Sequence, residues 1–133
     1  MPVFHRNVLF TDGDQQEAAL EIPDAPPWTI GADIPRLGHF ETTARDLFDA
    51  LAAVRTWLAA SGGIILVQGA ARDVYPSGMA REAGGRMAYR LRPGVPAQRQ
   101  DMVDILAPAA ADSIVSVTEQ REGFDSWIKS LKS

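Results

Sequence analysis

The sequence predicts an α+β fold, with one mostly antiparallel five-stranded sheet and two helices packed on one of its faces. Two observations predict it. Apolar and polar residues alternate in short segments near the N-terminus, as in half-buried strands, whereas two longer segments repeat apolar residues at helical spacing. The 133 residues, 46% of them hydrophobic, have the length and composition of one globular unit. We therefore expect a single domain over residues 1–133.

The first two strands are predicted at Val3 to Phe10 and Gln15 to Ile22, where apolar residues recur at every second position. Asp12-Gly13 lies between them. This pair is favoured in tight hairpin turns, whose central residues need positive φ angles. We expect a β-hairpin.

The segment 23–38 is predicted to be a surface connection. It contains four prolines, and proline lacks the backbone N–H that a central strand must donate. We expect no more than a short edge strand within it, at Trp28 to Ile30.

The first helix is predicted over Glu41 to Ala60, because apolar residues recur along one stripe at helical spacing. The stripe comprises Phe40, Ala44, Leu47, Leu51, Val54 and Leu58. Thr42 or Thr43 is expected to cap the helix. Asp46 and Asp49 are expected to face solvent.

Three further strands are predicted after this helix. Ile64 to Val67 is an unbroken apolar run, typical of a strand that is buried on both faces near the middle of a sheet. Arg86 to Arg92 alternates basic and apolar residues, as a half-buried strand does. Met102 to Leu106 is predicted to be a short last strand.

The second helix is predicted after Ser116, because Ser116 and Glu119 form a capping box. Its apolar stripe comprises Val117, Phe124, Ile128 and Leu131. The resulting order, β-β-α-β-β-β-α, resembles that of the roadblock, longin and profilin-like architectures. Those architectures largely serve as interaction modules, so the resemblance implies a binding role.

The connection between the third and fourth predicted strands carries a dense cluster of functional side chains. Its candidate ligand-binding residues are Arg72, Asp73, Tyr75, Ser77, Gly78, Arg81 and Arg86. Ser77 can cap a short helical turn, whose free amides favour anions, and arginine adds planar bidentate donors. The cluster therefore predicts a phosphate or carboxylate pocket. The alternative is an ordered loop, in which the arginines pair with aspartates while Tyr75 and Pro76 pack beneath.

Three arginines, Arg86, Arg90 and Arg92, share one side of the predicted fourth strand. Such a basic row fits an acidic partner or a nucleic-acid backbone. Cross-strand carboxylates would neutralise it, and the chain carries a net charge of −4. The candidate carboxylates are Glu17, Glu21 and Asp104. We expect this pairing and no nucleic-acid partner.

Other chemistry has little support in the sequence. The chain has no cysteine, and its two histidines, His5 and His39, lack the spacing of a metal site. The motifs GxGxxG, GxxxxGK[ST] and GxSxG are absent. We predict no catalytic residue, no metal and no cofactor. Since neither a signal-peptide pattern nor a membrane-spanning apolar run occurs, we expect a cytoplasmic protein without a membrane partner.

These observations favour a non-catalytic protein-interaction or regulatory module, which acts through its sheet face or as a homodimer. The alternative is a small enzyme or ligand-binder that takes a phosphate- or carboxylate-bearing metabolite at the loop of residues 72–86. The preference for arginine over lysine suggests a bacterial source.

Overall fold

The computed structural model describes residues 2–132. The elements in chain order are β1 (Val3–Phe10), β2 (Gln15–Glu21), β3 (Trp28–Ile34), β4 (Gly38–Ala44), α1 (Leu47–Ala59), β5 (Gly63–Ile65), β6 (Val74–Tyr75), α2 (Gly78–Glu82), β7 (Met87–Arg90), β8 (Met102–Asp104) and α3 (Val117–Ser130). Short 3₁₀ helices lie in the connections at Gln68–Ala70, Arg99–Asp101 and Ala111–Ser113.

A five-stranded antiparallel sheet, in the order β4-β3-β2-β1-β5, forms the larger layer. The helix α1 packs on one of its faces, against β3, β4 and β5. The predicted α+β class and five-stranded antiparallel sheet are therefore confirmed. A second, three-stranded sheet, in the order β6-β7-β8, was not predicted. The helix α3 packs chiefly against β6 and α1.

The predicted N-terminal hairpin is confirmed. β1 and β2 pair along their length, from Val3 opposite Glu21 to Leu9 opposite Gln15. Gly13 has a φ of +89°, which a residue with a side chain rarely adopts, so the Asp-Gly pair sets the turn.

The prediction of a surface connection over 23–38 is wrong. β3 runs over Trp28–Ile34 in the interior of the sheet order, between β2 and β4. Its Ile30, Ala32 and Ile34 are buried in the core. The four prolines lie outside the strand, three before it and one in the turn after it, so none removes a donor from the sheet.

The residues predicted as the first turns of the helix form β4 instead. Phe40 and Ala44 lie on the face toward α1, and the Phe40 ring stacks on Trp57 with centroids 4.9 Å apart. Residues four positions apart share a face in a strand as well as in a helix, because four is a multiple of the strand period and close to one helical turn. The spacing alone therefore did not distinguish the two.

The helix α1 begins at Leu47, and its N-cap is Asp46, whose side chain accepts a hydrogen bond from the Asp49 amide at 2.8 Å. The prediction of a Thr42 or Thr43 cap is wrong, because both threonines belong to β4. The later part of the predicted stripe is confirmed as buried: Leu47, Leu51, Val54 and Leu58.

The predicted apolar strand after the helix exists, but it is an edge strand rather than a central one. β5 pairs only with β1, and Leu66 and Val67 continue beyond it. The segment 107–109 covers this continuation, with the Ala109 amide donating to the Leu66 carbonyl at 3.0 Å. Ile65 and Val67 are buried in the core, whereas Ile64 and Leu66 are half-buried, so the run is not buried on both faces.

The predicted last strand and second helix are confirmed as β8 and α3, and Ser116 and Glu119 form the capping box. Four strands, rather than two, precede α1. The order on which the resemblance to the roadblock, longin and profilin-like architectures rests is therefore not the order of this chain.

Candidate functional site

The loop of residues 72–86 folds as a short strand, a tight turn and one turn of helix. Ser77 caps α2 by accepting a hydrogen bond from the Ala80 amide at 3.0 Å, which confirms the predicted cap. Gly78 is exposed at the first helical position. Gly84 and Gly85 follow α2 with φ angles of +109° and +74°, conformations that favour glycine.

Tyr75 lies beneath this loop and belongs to the core. Its ring stacks on Phe124 with centroids 4.2 Å apart and meets the edge of Phe48 at 5.1 Å. Pro76 beside it is buried. The predicted packing of Tyr75 and Pro76 under the loop is therefore confirmed.

Arg81 points from α2 to the beginning of α1. Its Nη1 donates to Asp46 Oδ2 at 3.0 Å and to Asp49 Oδ1 at 2.9 Å. Partial burial acts to raise the pKa of Asp49, but the hydrogen bonds from Arg81 and Arg45 hold it below its ordinary value. Asp46 is 1% exposed, so the prediction that it faces solvent is wrong. Its carboxylate is instead a buried partner of Arg81.

Arg86 pairs with Asp104, which confirms the predicted neutralisation by a neighbouring strand. Nε and Nη2 donate to the two carboxylate oxygens at 2.8 and 2.9 Å, the bidentate geometry. Burial acts to raise the pKa of Asp104, but the bonds from Arg86 and from the Leu106 amide lower it overall. In the same way, Arg90 Nη1 donates to both oxygens of Asp73 at 2.9 Å.

Arg72 is exposed, and its side chain makes no hydrogen bond or ion pair to the residues described. It lines a cavity of about 250 Å³ together with Leu91 and Trp127. The guanidinium groups of Arg72, Arg81 and Arg86 therefore contact three different parts of the molecule, and the fold does not gather them into one pocket.

Tyr75 and Arg81 remain neighbours and line a cleft of about 460 Å³ between α1, α2 and α3. Arg45 and Arg121 line the same cleft, with Asp49 and Glu122 as its acidic residues. Two of the predicted site residues thus lie in one concave place.

Sequence reasoning missed two buried polar residues, Arg55 and Gln120. Arg55 is 7% exposed and Gln120 is 2% exposed, and Arg55 Nη1 donates to Gln120 Oε1 at 2.6 Å. The available signal was position, because Arg55 lies between Leu51 and Leu58 on the apolar stripe of α1 and Gln120 lies one turn before Phe124. A polar residue within an apolar stripe indicates a buried hydrogen-bond network.

The face of the five-stranded sheet that points away from α1 is the second notable surface. Its charged and titratable strand residues, here called the outer sheet face, are His5, Glu17, Glu21, Asp33, His39 and Glu41. The strand register fixes this arrangement, because residues opposite each other in a sheet share a face.

Both histidines belong to the outer sheet face and contact carboxylates. His39 Nδ1 lies 2.8 Å from Asp33 Oδ1, and His5 Nδ1 lies 3.2 Å from Glu17 Oε1. The contacts of His39 with Asp33 and then Glu41 raise its pKa above the ordinary value. Among residues 2–132, no group of three or more histidine, aspartate or glutamate side chains is placed to hold a metal ion.

Within the same range, no helix is long and apolar enough to cross a membrane. No protein-family model matches the chain, and no curated protein matches it significantly.

Proposed function

We propose that this protein is a non-catalytic interaction module that binds a basic segment of a partner protein through the outer sheet face. The observation that carries the proposal is the charge of that face. It presents four carboxylates, from Glu17, Glu21, Asp33 and Glu41, whereas the strand residues on that side include neither lysine nor arginine. Complementary charge steers partners together and selects among them.

The contrast with the rest of the chain strengthens this choice. Arg81, Arg86 and Arg90 are each paired with an aspartate, so the basic residues around the loop carry little unpaired charge. The carboxylates of the outer sheet face contact only histidines among their ion-pair partners within residues 2–132. The outer sheet face therefore has carboxylates that no lysine or arginine neutralises among residues 2–132.

The same charge argues against a homodimer formed face to face, since carboxylates would oppose carboxylates. Self-association would use the edge of β4, whose backbone groups on one side have no neighbouring strand. The lack of cysteine supports placing the module in a reducing compartment such as the cytoplasm.

Charge reversal tests the proposal. The combined variant Glu17→Lys, Asp33→Lys and Glu41→Lys changes the outer sheet face. Its matched control, which makes the same change in net charge, is Asp24→Lys, Glu82→Lys and Asp112→Lys, all at exposed positions. Calorimetric titration with a lysine-rich peptide at low salt should show at least roughly tenfold weaker binding for the first variant only. Equal weakening in both variants, or no binding by the unmodified chain, would contradict the proposal.

The cleft beside Tyr75 favours a second candidate, the binding of a phosphate- or carboxylate-bearing metabolite. Arg45, Arg81 and Arg121 line it, and a phosphate or carboxylate would compete with the aspartates that now pair with these three arginines. Phosphate or citrate should then raise the melting temperature, and Arg121→Gln, at an exposed position, should remove the effect. An unchanged melting temperature across both anions would leave this cleft without a ligand role.

A further inference from the structure

Arg55 is a buried arginine without a carboxylate partner. Its guanidinium donates to the carbonyl oxygens of Gly69 at 3.3 Å and Val115 at 2.7 Å, and to Gln120 Oε1 at 2.6 Å. All three acceptors are neutral, and among residues 2–132 no aspartate or glutamate oxygen lies within 4.0 Å of it. Burial lowers the pKa of Arg55 to about 10, so the side chain is still protonated at neutral pH. A buried charge of this kind is costly unless an opposite charge meets it.

The donors that Arg55 leaves unused lie on one edge of the guanidinium. Nη1 makes two of the hydrogen bonds and Nη2 makes one, so Nε and one N–H of Nη2 have no partner. The Nε–Nη2 edge is the one through which Arg86 holds both oxygens of Asp104. Arg55 therefore retains one free N–H on each of the two nitrogens, Nε and Nη2, through which an arginine can hold a carboxylate.

The unused Nε of Arg55 is not completely buried. Within the described residues, no fully buried side-chain nitrogen or oxygen lacks a hydrogen-bond partner, so the unpartnered Nε of Arg55 must contact solvent. Arg55 lines a cavity of about 400 Å³ between α1, β5 and the segment that leads into α3. Ligand pockets in proteins range from roughly 300 to 1,000 Å³, so the cavity is large enough for a small molecule.

The walls of the cavity are mainly apolar. Ile64 and Ala59 line one side, and Ile114 and Val117 line the other, while Glu119, whose carboxylate accepts a hydrogen bond from the Ser116 amide at 3.4 Å, also lines the cavity. Apolar walls with one strongly polar group are the usual composition of a small-molecule site, because the walls bind the body of the ligand and the polar group orients it.

The beginning of α3 adds backbone amides to the same cavity, together with the carboxylate of Glu119. Ser116 and Glu119 cap each other, but the amides of Val117 and Thr118 donate to no described residue. Free amides at a helix start carry a partial positive charge and favour anions. The guanidinium of Arg55 and these amides line one cavity although they come from helices far apart in sequence.

We propose that this cavity binds a small monocarboxylate with an apolar body. The carboxylate accepts two hydrogen bonds from the Nε–Nη2 edge of Arg55 near the start of α3, and the apolar body packs against Ile64, Ile114 and Val117. A carboxylate fits better than a phosphate, because the unused edge offers two parallel donors and the remaining walls offer mostly apolar surface. This site is separate from the outer sheet face, and it stands whether or not that face binds a partner.

Hexanoate is a suitable probe, with hexanol, hexanamide and inorganic phosphate as controls. We expect hexanoate alone to raise the melting temperature of the full chain with increasing concentration. In a ¹H–¹⁵N spectrum of the unmodified chain, it should shift the Nε–H signal of Arg55 and the amide signals of Val117 and Thr118. No change in these three signals at saturating hexanoate would overturn the proposal.

Two variants of adjacent alanines locate the site. Ala59→Phe fills the mouth of the cavity, whereas Ala60→Phe makes the same change at the next, equally exposed position, which does not line it. The hexanoate effect should disappear in the first variant and persist in the second. Arg55→Lys should weaken binding by about tenfold or more, because lysine cannot provide the bidentate edge. An equal effect in both phenylalanine variants, or an equal response to hexanol, would overturn the proposal.

Discussion

Arg81 Nη1 donates a hydrogen bond to Asp46 Oδ2 over 3.0 Å, and so ties α2 to the residue that caps α1. A second hydrogen bond joins the same two elements: the Leu47 amide donates to the Gly84 carbonyl at 2.8 Å. One turn of helix too short to be stable alone is thereby held against a long helix. The segment 72–86 is therefore fixed against the beginning of α1 by two hydrogen bonds.

Asp46→Ala should lower the free energy of unfolding by about 3 kcal/mol, measured by urea denaturation. The change removes the cap of α1 and also leaves the partly buried Arg81 with Asp49 alone. Asp46→Asn should lower the free energy of unfolding by less than Asp46→Ala does, because asparagine still caps a helix. Asp112→Ala, at an exposed position, is the control and should stay within about 0.5 kcal/mol of the unmodified chain. A loss of the same size in the control variant would count against this account.

Gly84→Ala should lower the free energy of unfolding by about 1 to 2 kcal/mol or more, which a fall in melting temperature would reveal. Gly84 has a φ of +109°, and a Cβ there would lie 2.8 Å from Trp28 Cη2. Gly78→Ala is the matched control, since Gly78 has no positive φ and no atom within 4 Å of the added Cβ. It should be neutral or slightly stabilising. Equal effects of the two substitutions would mean that Gly84 is not constrained as described.

Gln120→Leu should lower the free energy of unfolding by about 3 kcal/mol or more. Its Nε2 donates to the carbonyl oxygens of Gly69, Ala71 and Val74, each at 2.9 Å, and its Oε1 accepts from Arg55. Leucine has a similar size but removes one donor from these three buried carbonyl groups and one acceptor from Arg55. Glu122→Leu makes a comparable change on the exposed side of the same helix. Urea denaturation of the two variants should separate them clearly, and similar midpoints would contradict a structural role for Gln120.

His39 should titrate above its ordinary pKa of about 6.5, because Asp33 and Glu41 stabilise the imidazolium. Since the folded-state pKa is raised, the stability that protonation contributes is complete below the unfolded-state value and is lost as the pH rises through the folded-state value. The difference in stability between the unmodified chain and His39→Gln should therefore shrink over that window. NMR titration of the imidazole measures the pKa of His39 directly, and the substitution Asp33→Asn should lower this pKa. A His39 pKa that does not change in Asp33→Asn would disprove the assignment.

Local patterns in the sequence were sufficient for several elements. The Asp12-Gly13 turn, the Ser77 cap and the capping box at Ser116 each involve residues within a few positions of one another. The alternation in β1 and β2 likewise follows from which side chains must face the core. Pairing of the arginine row with a carboxylate of another strand was also predicted, and Asp104, one of the three candidates with Glu17 and Glu21, pairs with Arg86.

The prediction of a helix where β4 lies is the main error, because the spacing of the apolar residues fits both a strand and a helix. Phe40 and Ala44 satisfy both a strand and a helix, and only the register of β3 against β4 decides between them. The arginines of the candidate anion pocket in the loop do not come together for another reason, namely the directions of their side chains. Its residues all lie within the segment 72–86, yet Arg72, Arg81 and Arg86 each contact a different part of the molecule.

By itself, the sequence determined the α+β class, the hairpin, the caps of α2 and α3 and the acidic balance of the chain, because these depend on neighbouring residues and on composition. Only the tertiary structure decided the partner of each charge. Arg81 meets Asp46 across 35 positions, and Arg55 meets Gln120 across 65. Such contacts depend on how distant elements pack, since the range of a hydrogen bond is far shorter than the chain that separates the two groups.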